Sequence, residues 1–470
     1  MRPAGRRAYT ARMPRDSLPA PGRGLRADLS ELLRLAGPVM LSRIGIMVMG
    51  LTDAIVVGRY SGVELGYHAL GWAPTMTVVT TAVGLLLGIQ VLTARRIGEG
   101  RREEVGEVLR RGLVYALLLG FGSAVLLYLT GPALLLHLRL EEDLAAGAGR
   151  VLQVFAWSLP TYLVATACAL FLEALSKATP AMIAMWIANA VNLALNLWFV
   201  PGGFGLEPGG AEGSAWATFG ARTALMVMLL AYIATMPEAR ALGIFRKPRR
   251  DPAASAEQRR IGYAAGGSYF VEVSAFAAMT VIAGWLGGPE VAAWSVVINV
   301  AAIIFMAPLG LSTATGVLVS RAYGAGDRSG VVRAGVLGLA SAGVMTLVIA
   351  LLVWPGARLI AGFYVTDPAL VALAASGLVL ASLFFVADGL QVVAANALRA
   401  RGDVWAPTAM HVVSYALVMI PLAWALALPA GLGLDGIVWA VIVASLLSAG
   451  FLVSRFAWLA RQRPPVRPTA

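Results

Sequence analysis

Apolar runs long enough to cross a membrane follow one another along nearly the whole of this 470-residue chain. An α-helix needs about 20 mainly apolar residues to cross the hydrocarbon core of a bilayer. Lipid offers the backbone no hydrogen-bond partners, so only helices and closed barrels can span it. Charged residues make up 13% of the chain, against about a quarter in soluble domains. The sequence therefore predicts an all-α membrane protein.

Twelve of these runs are long enough to be transmembrane helices. We predict them near residues 32–58, 67–93, 112–136, 148–174, 180–201, 213–235, 261–287, 290–318, 333–357, 369–398, 405–428 and 434–458. Turns rich in glycine and proline separate several of them, such as Pro201-Gly202-Gly203. Because the number of spans is even, the two termini are predicted to lie on the same side of the membrane.

Lysine and arginine residues cluster in the N-terminal stretch, in the C-terminal stretch and in the loops after the even-numbered spans. Loops rich in these residues face the cytoplasm in helical membrane proteins. We therefore expect a multi-pass protein of the cell inner (plasma) membrane with both termini cytoplasmic. In this scheme Arg399 and Arg401 belong to the loop after the tenth span. Since these loops account for the net charge of +12, no nucleic-acid partner is expected.

Two blocks of sequence recur at one constant spacing. Residues 58–64 align with residues 284–290, and residues 94–100 align with residues 320–326, without a gap. Each repeat holds six spans, an even number, so the two halves have the same orientation and are related by a pseudo-twofold axis along the membrane normal. The predicted domains are a basic disordered cytoplasmic tail (1–28), an N-lobe of six spans (29–236), a cytoplasmic interlobe linker (237–260), a C-lobe of six spans (261–458) and a cytoplasmic tail (459–470).

Three acidic residues lie well inside apolar runs, namely Asp53 in the first span, Glu272 in the seventh and Asp388 in the tenth. An ionisable side chain inside the membrane costs a few kcal/mol or more, so each one needs a partner, a water-filled cavity or a function. The simpler interpretation is a position at a helix end or a static interhelical hydrogen bond. The functional interpretation is a carboxylate that exchanges a proton or a cation.

The fifth span carries Asn189, Asn192 and Asn196. Asn192 and Asn196 are four residues apart and share one helix face. Together with Thr218 of the sixth span they could line a polar pocket in the N-lobe. The alternative is that these side chains only hold helices together through hydrogen bonds, and the sequence favours neither reading.

Arg43 and Arg222 are two basic residues that also fall within apolar runs. Arg43 is expected to extend its side chain toward the cytoplasmic surface. Arg222 lies deeper, and the sequence identifies no partner for it.

Metal centres and enzymatic sites find no support in the sequence. The three histidines, His68, His137 and His411, lack ligand spacing, and the single cysteine, Cys168, sits in an apolar run. HExxH, GxSxG and Walker A signatures are missing from the sequence. We therefore expect a protein that is not an enzyme and has no cofactor.

Three segments resemble motifs of the MATE (multidrug and toxic compound extrusion) family, and within it the NorM-like branch. They are the first span with Gly37-Pro38-Val39-Met40 and residues 50–60, the seventh span at residues 268–274, and the tenth span at residues 388–399. The resemblance covers about residues 30–460. The sequence departs from the family pattern at Arg43, at Trp294-Ser295 and at Arg321, which bears on the identity of the substrate.

The resemblance implies a secondary active transporter that exports organic, often cationic compounds in exchange for sodium ions or protons. Alternating access of the two lobes would move the compound. The resemblance also implies a C-lobe cation site, with a possible sodium ion, and an N-lobe ion-coupling and substrate-binding site. Their residues are Glu272 and Asp388 in the C-lobe and Asp53, Asn192, Asn196 and Thr218 in the N-lobe. The expected partners are the small organic substrate and the lipid bilayer, with the protein acting as a monomer.

A lipid-linked glycan flippase of the same broad superfamily is the alternative. Such a protein would line its cleft with cations to meet a pyrophosphate. Arg43 and Arg222 are the intramembrane candidates for that role, whereas three carboxylates favour a cationic cargo. Sodium ions and protons both remain as coupling ions.

Overall fold

The computed structural model describes residues 25–137, 142–203, 205–247 and 251–462, and these residues are almost wholly helical. The helices are α1 Leu25–Tyr60, α2 Gly62–Gly98, α3 Val105–His137, α4 Glu142–Trp157, α5 Leu159–Ala174, α6 Ala178–Phe199, α7 Gly210–Thr235, α8 Pro252–Leu286, α9 Gly288–Gly324, α10 Arg328–Tyr364, α11 Pro368–Ala400, α12 Trp405–His411, α13 Ile420–Ala427 and α14 Gly433–Arg461. A 3₁₀ turn covers Arg102–Glu104, and a π-helical segment, Val412–Met419, joins α12 to α13.

Within the described residues, eleven helical segments are long and apolar enough to cross a membrane, with α12, the π-helical segment and α13 forming one of them. The pair α4 and α5 passes the same test together, although it bends by 42° at its break. Counting this pair as one span gives twelve. The predicted all-α membrane fold is therefore confirmed.

The fourth span differs from the prediction because it is broken rather than continuous. α4 ends at Trp157 and α5 begins at Leu159, with Ser158 between them. Pro160 lies in the first turn of α5, where its missing N–H costs no helical hydrogen bond. The Ser158 hydroxyl donates back to the carbonyl oxygen of Phe155 at 2.7 Å. The chain therefore changes direction inside the bundle at a polar residue.

Helix ends also differ from the sequence-based boundaries. α8 begins at Pro252, before the predicted end of the linker at residue 260, because Asp251 caps it by accepting the N–H of Ala254 at 2.9 Å. α1 begins at Leu25, so the last residues of the predicted N-terminal tail are helical, and residues 1–24 lie outside the described residues. α14 continues to Arg461 into the predicted C-terminal tail, of which residues 463–470 are not described.

Each half of the chain packs around its own hydrophobic core. The N-terminal core includes the fully buried Leu152 and Phe171, and the C-terminal core includes the fully buried Trp294 and Tyr415. A smaller cluster, which contains Leu32 of α1 and Leu311 of α9, joins the two halves. A second cluster, with Val91 of α2 and Ile261 of α8, also joins them, so the helices form two lobes that share apolar contacts.

The lobes meet through α1 and α2 on one side and α8 and α9 on the other. Close backbone approaches pair Gly84 with Gly266 and Gly310 with Met40. These positions all fall in the half of the bundle that holds the N-terminal end of α1, which we call the closed end. The structure therefore describes lobes that are joined at the closed end.

The positions of the basic loops predict that the closed end faces the cytoplasm. A green fluorescent protein fused after Ala470 should fluoresce, and alkaline phosphatase fused there should be inactive. Insertion at Glu207, in the exposed loop between α6 and α7 at the opposite end, should give the reverse pattern. Active phosphatase at the C-terminus would show that the orientation is inverted.

Candidate functional site

The N-lobe contains a buried carboxylate that accepts hydrogen bonds from three side chains. Asp53 of α1 is 3% exposed. Its Oδ1 accepts the Nδ2 of Asn192 at 2.9 Å and the Nδ2 of Asn196 at 2.7 Å, both from α6. Its Oδ2 accepts the hydroxyl of Thr218 on α7 at 2.6 Å. The structure thus brings together all four residues that the sequence assigned to an N-lobe site.

The amide oxygens on the same face of α6 have no hydrogen-bond partner. Asn189, Asn192 and Asn196 each bury an Oδ1 atom without a donor, although their amide nitrogens are bonded. A buried acceptor without a partner costs about 1–3 kcal/mol. Oxygen atoms beside a carboxylate are the ligands that hard cations prefer. This face therefore has the acceptor oxygens that a monovalent cation or a protonated group would need.

The C-lobe contains a pair of carboxylates that share one donor. Gln391 of α11 points its Nε2 at Glu272 Oε1 and at Asp388 Oδ1, with both distances 3.2 Å. Asp388 is 9% exposed, whereas Glu272 of α8 is only partly buried. The single neutral amide of Gln391 does not balance the charge of two carboxylates. The Oε1 atom of Gln391 is also buried without a partner, so the donor set fits a sodium ion.

Arg399 lies inside the C-lobe and not in the loop that the sequence predicted. It is the penultimate residue of α11, is 1% exposed and donates from Nη2 to the hydroxyl of Ser268 at 2.6 Å. Ser268 precedes Glu272 by one turn of α8. The loop assignment is wrong because α11 extends to Ala400 and packs its last turn within the bundle. A fixed positive charge therefore lies near the carboxylate pair.

Arg43 finds a partner inside the N-lobe instead of extending to the membrane surface. Its Nη2 lies 3.1 Å from Glu173 Oε1, and the Nε2 of Gln90 donates to Glu173 Oε2 at 2.9 Å. Glu173 is 1% exposed. This group links α1, α2 and α5 through one ion pair and one hydrogen bond from a neutral amide to the same carboxylate.

Arg222 also has partners that the sequence did not identify. Its Nη1 donates to the hydroxyl of Ser158 at 2.6 Å, at the break between α4 and α5. Its guanidinium lies over the rings of Tyr162 and Trp72, at 4.6 Å and 5.3 Å from their centroids. Aromatic faces attract a guanidinium, and the attraction is stronger when water is excluded. The broken span thus provides an enclosed site for this cation.

The buried charges of the two lobes do not balance in the same way. The N-lobe holds two buried carboxylates, Asp53 and Glu173, and an equal number of guanidiniums. Arg43 pairs with Glu173, and Arg222 contacts Ser158 and two aromatic rings. Among the C-lobe residues described, Arg399 is the counterpart of two carboxylates. An unmatched charge inside a protein is strongly unfavourable. The C-lobe pair therefore fits one added positive charge, such as a sodium ion or a proton.

Two of these residues carried a signal that the sequence analysis missed. Glu173 lies in an apolar run, which is the criterion that selected Asp53. Gln391 lies three residues after Asp388, on the same helix face. The partners of Arg43 and Arg222 had no such signal, because they are distant in sequence.

Histidine and cysteine residues form no metal site in the part of the chain that the structure describes. Cys168 is a buried free thiol. The ring of His137 lies 2.7 Å from the carbonyl oxygen of Ala133, and the buried His68 packs edge-on against Phe155.

The sequence matches a known protein family and several of its members. The MatE family model matches residues 38–198 and 264–425. The "Probable multidrug resistance protein NorM" of Caulobacter vibrioides is 56% identical over 453 residues, which covers 95% of this chain and 96% of that protein. A protein of the same name from Pseudomonas putida is 31% identical over 438 residues, covering 92% of this chain and 94% of the relative.

Solved structures show the same fold. The crystal structure of the eukaryotic MATE transporter AtDTX14 matches with a TM-score of 0.85 at 19% identity, covering 93% of this chain and 99% of that chain. At this level of identity the match concerns the arrangement of the helices in two lobes.

The Arg43–Glu173 pair predicts a specific pattern of stability changes. Glu173→Gln leaves the guanidinium of Arg43 without its counter-charge and should lower the free energy of unfolding by about 3–5 kcal/mol. Adding Arg43→Met should recover most of that loss, because no unpaired charge then remains. Denaturant titration of the purified protein in detergent measures both values.

The exposed pair of Lys177 and Glu238, whose charged atoms are 2.7 Å apart, supplies the control. Glu238→Gln removes a carboxylate that is 43% exposed and should change stability by about 0–1 kcal/mol. Equal losses for Glu173→Gln and for Glu238→Gln would contradict the assignment of a buried pair.

Proposed function

Because this chain belongs to the MatE family, we propose that it is a multidrug efflux transporter that exports organic, often cationic compounds in exchange for sodium ions or protons. Its relatives from Caulobacter vibrioides and Pseudomonas putida are named multidrug resistance proteins. The observation that carries the exchange mechanism is the unmatched carboxylate pair of Glu272 and Asp388, joined through Gln391.

The C-lobe pair couples ion and cargo through competition for the same negative charge. A sodium ion or a proton that neutralises the pair removes its attraction for a cationic compound. A ligand shifts a conformational equilibrium only by the difference between its affinities for the two states. Exchange requires that either the ion or the compound, but not both, occupies the site during each passage of the lobes.

In this proposal the N-lobe group forms a second, polar subsite for the substrate or an ion. Asp53 already accepts three hydrogen bonds, and the guanidiniums of the same lobe balance its charge together with that of Glu173. The orphaned amide oxygens beside Asp53 can accept hydrogen bonds from a substrate or can bind an ion. We assign Asp53, Asn192, Asn196 and Thr218 to a polar N-lobe subsite that faces the same transport route.

Alternating access follows from the two-lobe arrangement. In related transporter folds, rocking of one repeat against the other exposes a central site to each side in turn. Here the lobes are joined at the closed end, which we place on the cytoplasmic side of the inner membrane. The proposed working unit is one chain in the lipid bilayer, since both ion sites lie within single lobes.

A flippase for an anionic lipid-linked glycan fits these charges less well. Arg43 is paired with Glu173, and Arg222 is enclosed by Ser158 and two aromatic rings. Neither guanidinium is left to meet a pyrophosphate. Residual negative charge in the C-lobe would repel such a cargo.

Neutralising the C-lobe pair should abolish coupling. We consider vesicles that are loaded with a fluorescent organic cation. Glu272→Gln and Asp388→Asn should each reduce ion-driven dye movement to the level seen in vesicles that lack the protein. The physical reason is that each variant keeps a single carboxylate, whose charge Arg399 already balances, so the pair no longer attracts the ion or the cation. Measurements under a proton gradient and then under a sodium gradient identify the coupling ion.

Glu207→Gln is the matched control, because Glu207 lies in an exposed loop and should transport like the unchanged protein. Full dye movement by Glu272→Gln would overturn the role of the carboxylate pair. Failure of the unchanged protein to move any organic cation under either gradient would favour the anionic cargo.

A further inference from the structure

The ends of α2 and α9 form a symmetric contact between the lobes at the closed end. The repeat relates Arg95 to Arg321 and Gly98 to Gly324. A Cβ atom added to Gly98 would overlap the carbonyl oxygen of Arg321, and one added to Gly324 would overlap that of Arg95. Each helix end therefore rests on the backbone of its counterpart, and glycine is required for both approaches.

The turns after these helices have the same hydrogen bonds in both lobes. After α2, Glu99 N–H donates to Arg95 and Gly100 N–H donates to Ile97. After α9, Ala325 and Gly326 donate in the same way to Arg321 and Tyr323. Gly100 has a φ of 75° and Gly326 a φ of 71°, in the left-handed region that favours glycine. Both turns therefore set the direction of the arginine-bearing helix end.

The two arginine side chains cross between the lobes. Arg321 of the C-lobe donates from Nη2 to the carbonyl oxygen of Ala174 at 2.5 Å, at the end of α5 in the N-lobe. Arg95 of the N-lobe donates from Nη2 to the carbonyl oxygen of Ala400 at 3.4 Å, at the end of α11 in the C-lobe. Ala174 and Ala400 are the last residues of equivalent helices in the two repeats.

These carbonyl oxygens are suited to accept an arginine. The turn after α5 uses the carbonyls of the three residues before Ala174, and the turn after α11 uses the three before Ala400. The last carbonyls of a helix have no intrahelical partner, and the negative end of the helix dipole favours a cation. Each arginine therefore caps a helix of the opposite lobe.

Arg95 makes two additional contacts with the C-lobe. Its Nη1 lies 2.8 Å from Glu257 Oε1 of α8, and its guanidinium lies 5.0 Å from the centroid of the Tyr323 ring. All of these bonds join residues that must separate if the lobes part at the closed end.

We propose that Arg95, Gly98, Arg321 and Gly324 form a crossed latch that stabilises the conformation in which the lobes are joined at the closed end. When the lobes part at this end, water replaces the arginine at both capped carbonyl oxygens. Both glycine contacts separate at the same time. The latch thereby sets the balance between the two access states. This inference rests on the proposed alternating access, but its test does not depend on transport.

Distances between spin labels in the two lobes test the latch. Labels are placed on cysteines at Arg240 and Ser329, two exposed positions near the closed end, after Cys168→Ala removes the single native cysteine. A second labelled pair, Val63 and Pro289, reports on the opposite end. Gly98→Ala and Gly324→Ala should each lengthen the first distance and shorten the second.

Gly122→Ala is the control, because a Cβ at Gly122 of α3 meets nothing within 4 Å. Arg321→Ala removes one cap without inserting an atom, so it tests the latch even if the glycine variants do not fold. It should shift both distances in the same directions by a smaller amount. Distances equal to those of Gly122→Ala would overturn the latch. Equal broadening of the distance distributions of both labelled pairs would also overturn it.

Dye transport separates this inference from the proposed function. If Glu272→Gln leaves transport intact while Gly98→Ala shifts the distances, the latch stands and the coupling site is wrong. If coupling behaves as proposed but the distances do not shift, the latch is wrong.

Discussion

The membrane interior makes every buried charge depend on a partner, and the polar architecture of both lobes follows from this constraint. No water is available in the hydrocarbon region to replace a missing counter-charge, so an unpaired ion is strongly unfavourable. The N-lobe meets the requirement internally through Arg43 with Glu173 and through Arg222 at the break of the fourth span. The C-lobe does not, since Glu272 and Asp388 share the single amide of Gln391. The difference leaves the carboxylates of the C-lobe with fewer charged partners than those of the N-lobe, which is the basis of the proposed cation site.

Duplication explains how similar lobes come to carry different charges. At the constant spacing of the repeat, Glu173 in the N-lobe corresponds to Arg399 in the C-lobe, and Arg43 corresponds to Tyr269. The helices keep their positions, as the equivalent ends of α5 and α11 show. A carboxylate that forms an ion pair in one lobe is therefore replaced by a guanidinium bonded to a hydroxyl in the other. Backbone symmetry provides the two-lobe fold, and the substitutions give each lobe its own electrostatics.

At the closed end, in contrast, the two repeats have the same side chains at the latch positions. Arg95 and Arg321, together with their glycines, keep equivalent contacts in both lobes. Contacts between the lobes benefit from symmetry, since both halves of the interface must form and break together. The proposed ion sites, in contrast, differ between the lobes, so that ion and cargo need not meet the same charge in each lobe.

Hydropathy and repeat spacing in the sequence were sufficient to predict the helical class, the number of spans, the duplication and the positions of Asp53, Glu272 and Asp388 inside spans. These features depend on the local composition of each segment, because lipid selects apolar helices regardless of their neighbours. The tertiary structure decided which helices touch. It alone pairs Arg43 with Glu173, buries Arg399 beside Ser268 and breaks the fourth span at Ser158, since partners far apart in sequence become neighbours only when the helices pack.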